Sequence, residues 1–195
     1  MNRKTGLLAA GSAAAAVLFA VTLSTPASAA TDDATPFGLT DPAAIAKVQQ
    51  LQTDGVDVIS ASQADYKATT TGSASSQAVT PQALPSGCHL SVIIYRTNRV
   101  ITGSMLTSCN FGFTAGVMTS TMTHYNPDFG IWDSTVATGR TTGAGRDMAM
   151  DNHYNCRNGN ASNYRYVGTG QLVKGKTTYS AAAYDTFDTN QPCGT

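Results

Sequence analysis

The chain has 195 residues, 12 basic and 12 acidic, for a formal net charge of zero. Charged residues make up 12% of it, well under the ~25% typical of globular proteins, and every acid is Asp. The balance excludes a strongly basic nucleic-acid binder and a chain disordered by its charge; the absence of Glu excludes an HExxH metalloprotease helix and an EF-hand loop.

The first 29 residues read as a secretory signal peptide. Arg3 and Lys4 are the positive start, residues 13–23 the apolar core, Pro26 the breaker, and Ala27-Ser28-Ala29 the small residues a signal peptidase needs. Cleavage is expected before Ala30, with Thr31 as the second choice. The alternative, a retained anchor over residues 6–23, is barely long enough to span a bilayer and is dominated by small residues. The mature chain is therefore expected outside the cell, with no membrane attachment. All four cysteines, Cys88, Cys109, Cys156 and Cys193, lie in it. An even count in a secreted chain reads as disulfides, and no Cys-x-x-Cys spacing suggests a metal. Three pairings are possible, and the sequential one, Cys88–Cys109 with Cys156–Cys193, is preferred.

Residues 30–67 read as an acidic N-terminal extension with a short helix. Thr40 or Asp41 can cap that helix, Pro42 suits its first position, and Ile45, Val48 and Leu51 form a narrow apolar stripe. Asp54-Gly55 ends it. Residues 56–59 are a short extended stretch. Ser60 with Gln63 resembles a capping box, so a second helical turn is expected near residues 61–67. Residues 68–85, rich in Thr, Ser, Ala and Pro, read as a linker.

Residues 86–195 read as a disulfide-stapled β-domain. Thr, Tyr, Val and Met rise, and segments of period two follow one another. Strands are expected near 88–96, 99–107, 111–124, 130–138, 146–156, 163–173 and 176–187. In the first, Cys88, Leu90, Val92 and Ile94 share one face, while Ile93 and Tyr95 lie on the other with His89 and Ser91. Asn98 suits a hairpin turn. A change of phase at Gly116 suggests a bulge. Residues 139–145, with three glycines, read as a flexible hairpin connection rather than a phosphate loop, since no Lys-Ser/Thr follows. The fold class is all-β: an antiparallel sandwich or small barrel of about seven strands, with a short helical extension.

Chemistry-bearing patterns are sparse. Asp147, Asp151 and His153 fall on one face of a strand, and Asp151 with His153 could do acid–base work; a solvated sheet face explains the same pattern. No Gly-x-Ser-x-Gly is present, and neither cofactor nor metal is implied. The aromatics say more. Tyr164 and Tyr166 share a face beside Gly168 and Gly170, whose missing side chains suggest a groove, and with Trp132 they are the candidate ligand-binding residues. The competing reading has these tyrosines covering glycines inside a Leu-poor core.

The stretches from Gly87-Cys88 to Cys109 and from Tyr154-Asn155-Cys156 to Pro192-Cys193-Gly194 resemble small secreted β-rich proteins of actinobacteria that carry two disulfides and no assigned activity. The resemblance implies location and fold more than function. The leading functional expectation is a non-enzymatic binding or interaction module for a glycan or an extracellular protein. The alternatives are an extracellular hydrolase or nuclease using Asp151 and His153, and a secreted inhibitor or toxin-like protein with a removable pro-segment. Residues 30–85 carry a charge of 2 − 6 = −4 and residues 86–195 carry 8 − 6 = +2, so the acidic arm is expected to fold weakly onto the basic β-domain.

Overall fold

The computed structural model describes residues 35–69, 87–126 and 130–194. The expected signal peptide and most of the expected linker lie outside these residues. One α-helix and seven strands are present among them, after a 3-10 turn at Pro36–Gly38: α1 (Pro42–Thr53), β1 (Asp57–Asp65), β2 (Lys67–Thr69), β3 (Cys88–Thr97), β4 (Val100–Asn126), β5 (Ile131–Asn155), β6 (Asn158–Lys174) and β7 (Thr177–Gly194). All strand pairings are antiparallel.

The helix forms as its caps dictate. The Asp41 carboxylate accepts from Ala43 N–H at 3.1 Å, Pro42 occupies the first turn, and the chain leaves through Gly55 at φ 72°. Ala44, Val48 and Leu51 are buried. They pack with Leu39 on Ile93 and Tyr95 of β3 and Ala61 of β1. The other face of β3, with Cys88, Leu90, Val92 and Ile94, enters the main core. A strand apolar on both faces thus serves two cores, one beneath the helix and one inside the sheet.

The second helical turn expected at residues 61–67 is instead strand. Gln63 does cap a helix, but across space. Its Oε1 accepts from Thr40 and Asp41 N–H at 3.1 and 2.8 Å, and its Nε2 donates to Thr40 Oγ1 at 2.7 Å, all at the start of α1. Meanwhile β1 fills the open edge of β3, from Asp57 opposite Arg96 to Asp65 opposite His89. One residue later the chain changes edges: β2 pairs with β7, Lys67 opposite Ser180. The sheet order is β1-β3-β4-β6-β7-β2, with β5 beside β4. Since β1 and β2 are separated only by Tyr66, the two ends of this order meet, and the sheet is nearly closed into a barrel. The expected extension is therefore part of the sheet.

Two expected breaks are absent. Residues 108–110 and 139–145 do not turn, and the four strands expected on either side of them are two long ones, β4 and β5. The register slips between Ser108 and Phe113 and again before Gly116, so the expected bulge is present and bends the strand where a turn was anticipated. The count of seven is met because β1 and β2 replace the two strands lost by fusion. The disulfides follow the sequential pairing, Cys88–Cys109 and Cys156–Cys193. The first ties β3 to β4 at a directly opposed pair; the second ties the end of β5 to the end of β7.

The interior is filled by large side chains set against glycines. A Cβ on Gly103 would lie 2.5 Å from the Tyr166 ring, and one on Gly168 would lie 2.7 Å from Met105. Gly170 faces the Tyr66 hydroxyl. Tyr66 OH and Thr107 Oγ1 share a hydrogen bond of 2.7 Å, and Thr107 Oγ1 donates onward to Met118 Sδ at 3.1 Å. The buried phenol is thereby satisfied.

Two outcomes follow. Gly103→Ala should destabilise the fold by about 1–3 kcal/mol through overpacking, whereas Gly159→Ala, with open space at its Cβ, should stay within about 0.5 kcal/mol; urea denaturation compares them. By the same method, removing Cys156–Cys193, whose partners are 37 residues apart, should cost about 4 kcal/mol. Removing Cys88–Cys109, at 21 residues, should cost about 3 kcal/mol by loop closure.

Candidate functional site

Alternation along the long strands separates an inner from an outer face. Met118, Ser120 and Met122 of β4, Tyr166, Gly168 and Gly170 of β6, and Ala183 of β7 are buried. Their neighbours Thr119 and Thr121, Val167 and Thr169, and Ala182 and Tyr184 therefore point outward. Register arranges these outward positions in rows across β5, β4, β6 and β7. One row is Arg140, Thr119, Thr169 and Ala182; the next is Thr138, Thr121, Val167 and Tyr184.

The first row, with the Val117, Gln171 and Ser180 positions beside it, lines an open groove of about 610 Å³. Small side chains make room for it: Gly170, Ala181 and Ala182 all contribute to its wall. Its polar groups are neutral hydroxyls and an amide, apart from the Arg140 guanidinium. Thr119 and Thr169 hydroxyls share a hydrogen bond of 2.7 Å, which fixes their rotamers. One row away stands Tyr184, 68% exposed, its carbonyl held by Ser62 Oγ of β1 at 2.8 Å. The barrel thus supplies a rigid floor with an open aromatic ring at one end.

The residues singled out from sequence lie elsewhere. Tyr164 and Tyr166 are 0% exposed, so the expected ligand face is corrected. The side chains missing at Gly168 and Gly170 do leave space, but it opens inward and is occupied by Met105 and Tyr66. Tyr164 OH donates to the Cys193 carbonyl and its ring lies 5.5 Å from His124 and 5.8 Å from Tyr154, so it braces the second disulfide. Trp132 is half-buried, with Arg165 stacked over it at 4.6 Å and Tyr125 at 5.2 Å. Both partners occupy ring surface that a ligand would otherwise use.

Asp151 and His153 are both exposed on β5, two residues apart as expected. Thr102 Oγ1 and His153 Nδ1 share a hydrogen bond of 2.9 Å, and the Asp151 charge acts on Tyr95. Neither residue lines the groove. A second hollow, of about 570 Å³, lies where Gln63, Asp65 and His89 meet residues 37–40. Its polar groups are already engaged: Gln63 holds the start of α1, Ser62 Oγ donates to the Tyr184 carbonyl, and Asp65 Oδ1 lies 2.7 Å from His89 Nδ1. Among the described residues no group of three or more His, Cys or Asp is placed to hold a metal ion, and no helix is long and apolar enough to cross a membrane.

The groove residues carried no motif. What could have exposed them is the run Thr119-Ser120-Thr121-Met122-Thr123, in which threonines alternate with the buried Ser120 and Met122; pairing with β6 and β5 was needed to assemble them. Comparisons with protein-family models, curated proteins and solved structures gave no match.

Burial sets the titration of the inner face. It pushes the Tyr66 and Tyr166 phenols up from 10 to about 12. It raises Tyr164 further still, helped by Tyr154, and raises Tyr95, helped by Asp151. Each folded value lies above the unfolded one, so the unfolded chain releases these protons first. Their contribution to stability is complete below pH 10 and is lost as pH rises through the raised values, which for Tyr66 and Tyr166 lie at about 12. Tyrosinate absorbance should therefore show these four of the eight tyrosines ionising late, in step with the loss of the β-sheet circular-dichroism signal.

Proposed function

We propose that the chain is secreted after loss of residues 1–29 and acts as a non-enzymatic binding module whose ligand is a carbohydrate. The groove across β5, β4, β6 and β7 carries this reading. Its wall is hydroxylic and open, which suits a ligand that is itself a dense array of hydroxyls. Its apolar surface is confined to Ala, Gly and Val117, short of the aromatic and Met-rich core that protein interfaces bury. Tyr184 presents an apolar ring face with a polar tip, the combination that stacks on a sugar while hydrogen-bonding its edge.

The supports for secretion are the signal-like N-terminus and the two disulfides, which persist in oxidising compartments. No observation favours the hydrolase or nuclease reading over this one: Asp151 and His153 face solvent away from the groove, with Thr102 as the hydrogen-bond partner.

An array of neutral and acidic oligosaccharides should retain the secreted protein. Tyr184→Ala should weaken that retention at least tenfold, about 1.4 kcal/mol, with an unchanged thermal midpoint, because the ring is exposed. Failure of the wild type to bind any saccharide would overturn the reading.

A further inference from the structure

We infer that the groove is built for an acidic saccharide, whose carboxylate or sulfate sits on the Arg140 guanidinium; this rests on the carbohydrate reading above and names the ligand class within it. Arg140 is the charged residue among those lining the groove. It lies opposite Thr119 in register and forms no ion pair among the described residues. Four other cations of the chain are already engaged. Arg96 lies 3.6 Å from Asp57, Arg99 donates to the Cys156 and Arg157 carbonyls, Arg165 covers Trp132 and Lys174 covers Phe111.

The surroundings reinforce the sign. The outward positions of the flanking rows are Thr142, Val117, Gln171 and Ser180 on one side and Thr138, Thr121, Val167 and Tyr184 on the other. None is acidic, so no flanking position neutralises the guanidinium. Its planar fork matches a carboxylate or sulfate with two parallel hydrogen bonds. The neighbouring hydroxyls of Thr119, Thr169 and Ser180 and the Gln171 amide offer both donors and acceptors to ring hydroxyls.

Spacing sets the size. Arg140 and Tyr184 are separated by three strand-to-strand steps and one row, about 16 Å along a flat sheet. That is the reach of a short oligosaccharide rather than of one sugar. The acidic unit lies at the β5 end and a stacked ring at the β7 end.

The test uses the full secreted chain on an array of neutral, carboxylated and sulfated oligosaccharides, followed by titration with oligogalacturonate and its methyl ester, which keeps the rings and removes the charge. The expected retained set is acidic. Oligogalacturonate should bind at least tenfold more tightly than the ester, and its affinity should fall as salt rises. Arg140→Gln should abolish that difference, and Arg140→Lys should restore part of it; both side chains are exposed, so the thermal midpoint should hold. Retention of neutral saccharides alone, equal affinity for acid and ester, or an acid preference that survives Arg140→Gln would overturn the anionic site and leave the carbohydrate reading standing. Retention of nothing would overturn both.

Discussion

The barrel depends on one crossing. At Tyr66 the chain leaves the edge of β3 and joins the edge of β7, so a single residue connects the two ends of the sheet. Two hydrogen bonds hold it there: Tyr66 N–H donates to the Cys88 carbonyl at 3.1 Å, and its hydroxyl meets Thr107. The ring then fills the interior beside Gly170. Without the crossing, β3 and β7 would each present an unpaired row of backbone groups, the usual route to edge-to-edge association. Closure also explains why the N-terminal segment belongs with the barrel.

The same constraint divides the side chains. A small barrel has a narrow interior, and large side chains fit it more readily where the facing residue carries no Cβ. Tyr166 opposite Gly103 and Met105 opposite Gly168 obey that rule. The buried tyrosines are thereby spent on packing, and the outward rows across β5, β4, β6 and β7 are left mostly to Thr, Ser, Gln, Ala and Val. A face of short hydroxylic residues is flat and adhesive mainly to polar surfaces, which is why one exposed ring and one unneutralised cation change its character so strongly.

Much of this was legible in the sequence where the signal was local. The Asp41-Pro42 start and Gly55 stop of α1, the two-faced run from Leu90 to Tyr95 and the bulge before Gly116 follow from caps and periodicity. The Cys88–Cys109 bridge agrees with strand neighbours being chain neighbours, whereas Cys156–Cys193 joins the ends of β5 and β7, which do not pair. What failed was non-local. Ser60 and Gln63 do form the pattern of a helix start, yet Gln63 caps α1, and only the tertiary fold decides which helix it serves. Glycines at 139, 143 and 145 look like a turn, but Asn152 packs over Gly139, Met148 lies against Gly143, and Gly145 takes a φ of 122° within the strand. For Tyr164 and Tyr166 the face was read correctly and its direction was not, since alternation alone does not say which side of a sheet is the inside. The groove was invisible for a related reason: its residues come from four strands, and none is unusual in its own.

Charge acts at the seams of this structure more than in bulk. The acidic segment does meet basic residues of β3, with Asp57 near Arg96 and Asp65 near His89. Both acids are mostly exposed, and pairs of that kind contribute little. The attachment rests on the β1–β3 ladder and on the apolar face of α1 against Ile93 and Tyr95. A chain with so few charges and no Glu cannot rely on surface ion pairs, so its stability must come from ladder hydrogen bonds, a tyrosine- and methionine-filled interior and two disulfides. The charges not needed for stability are then free to mark function. On the outer sheet Arg140 stands among neutral flanking positions, where its guanidinium is open to an external anion.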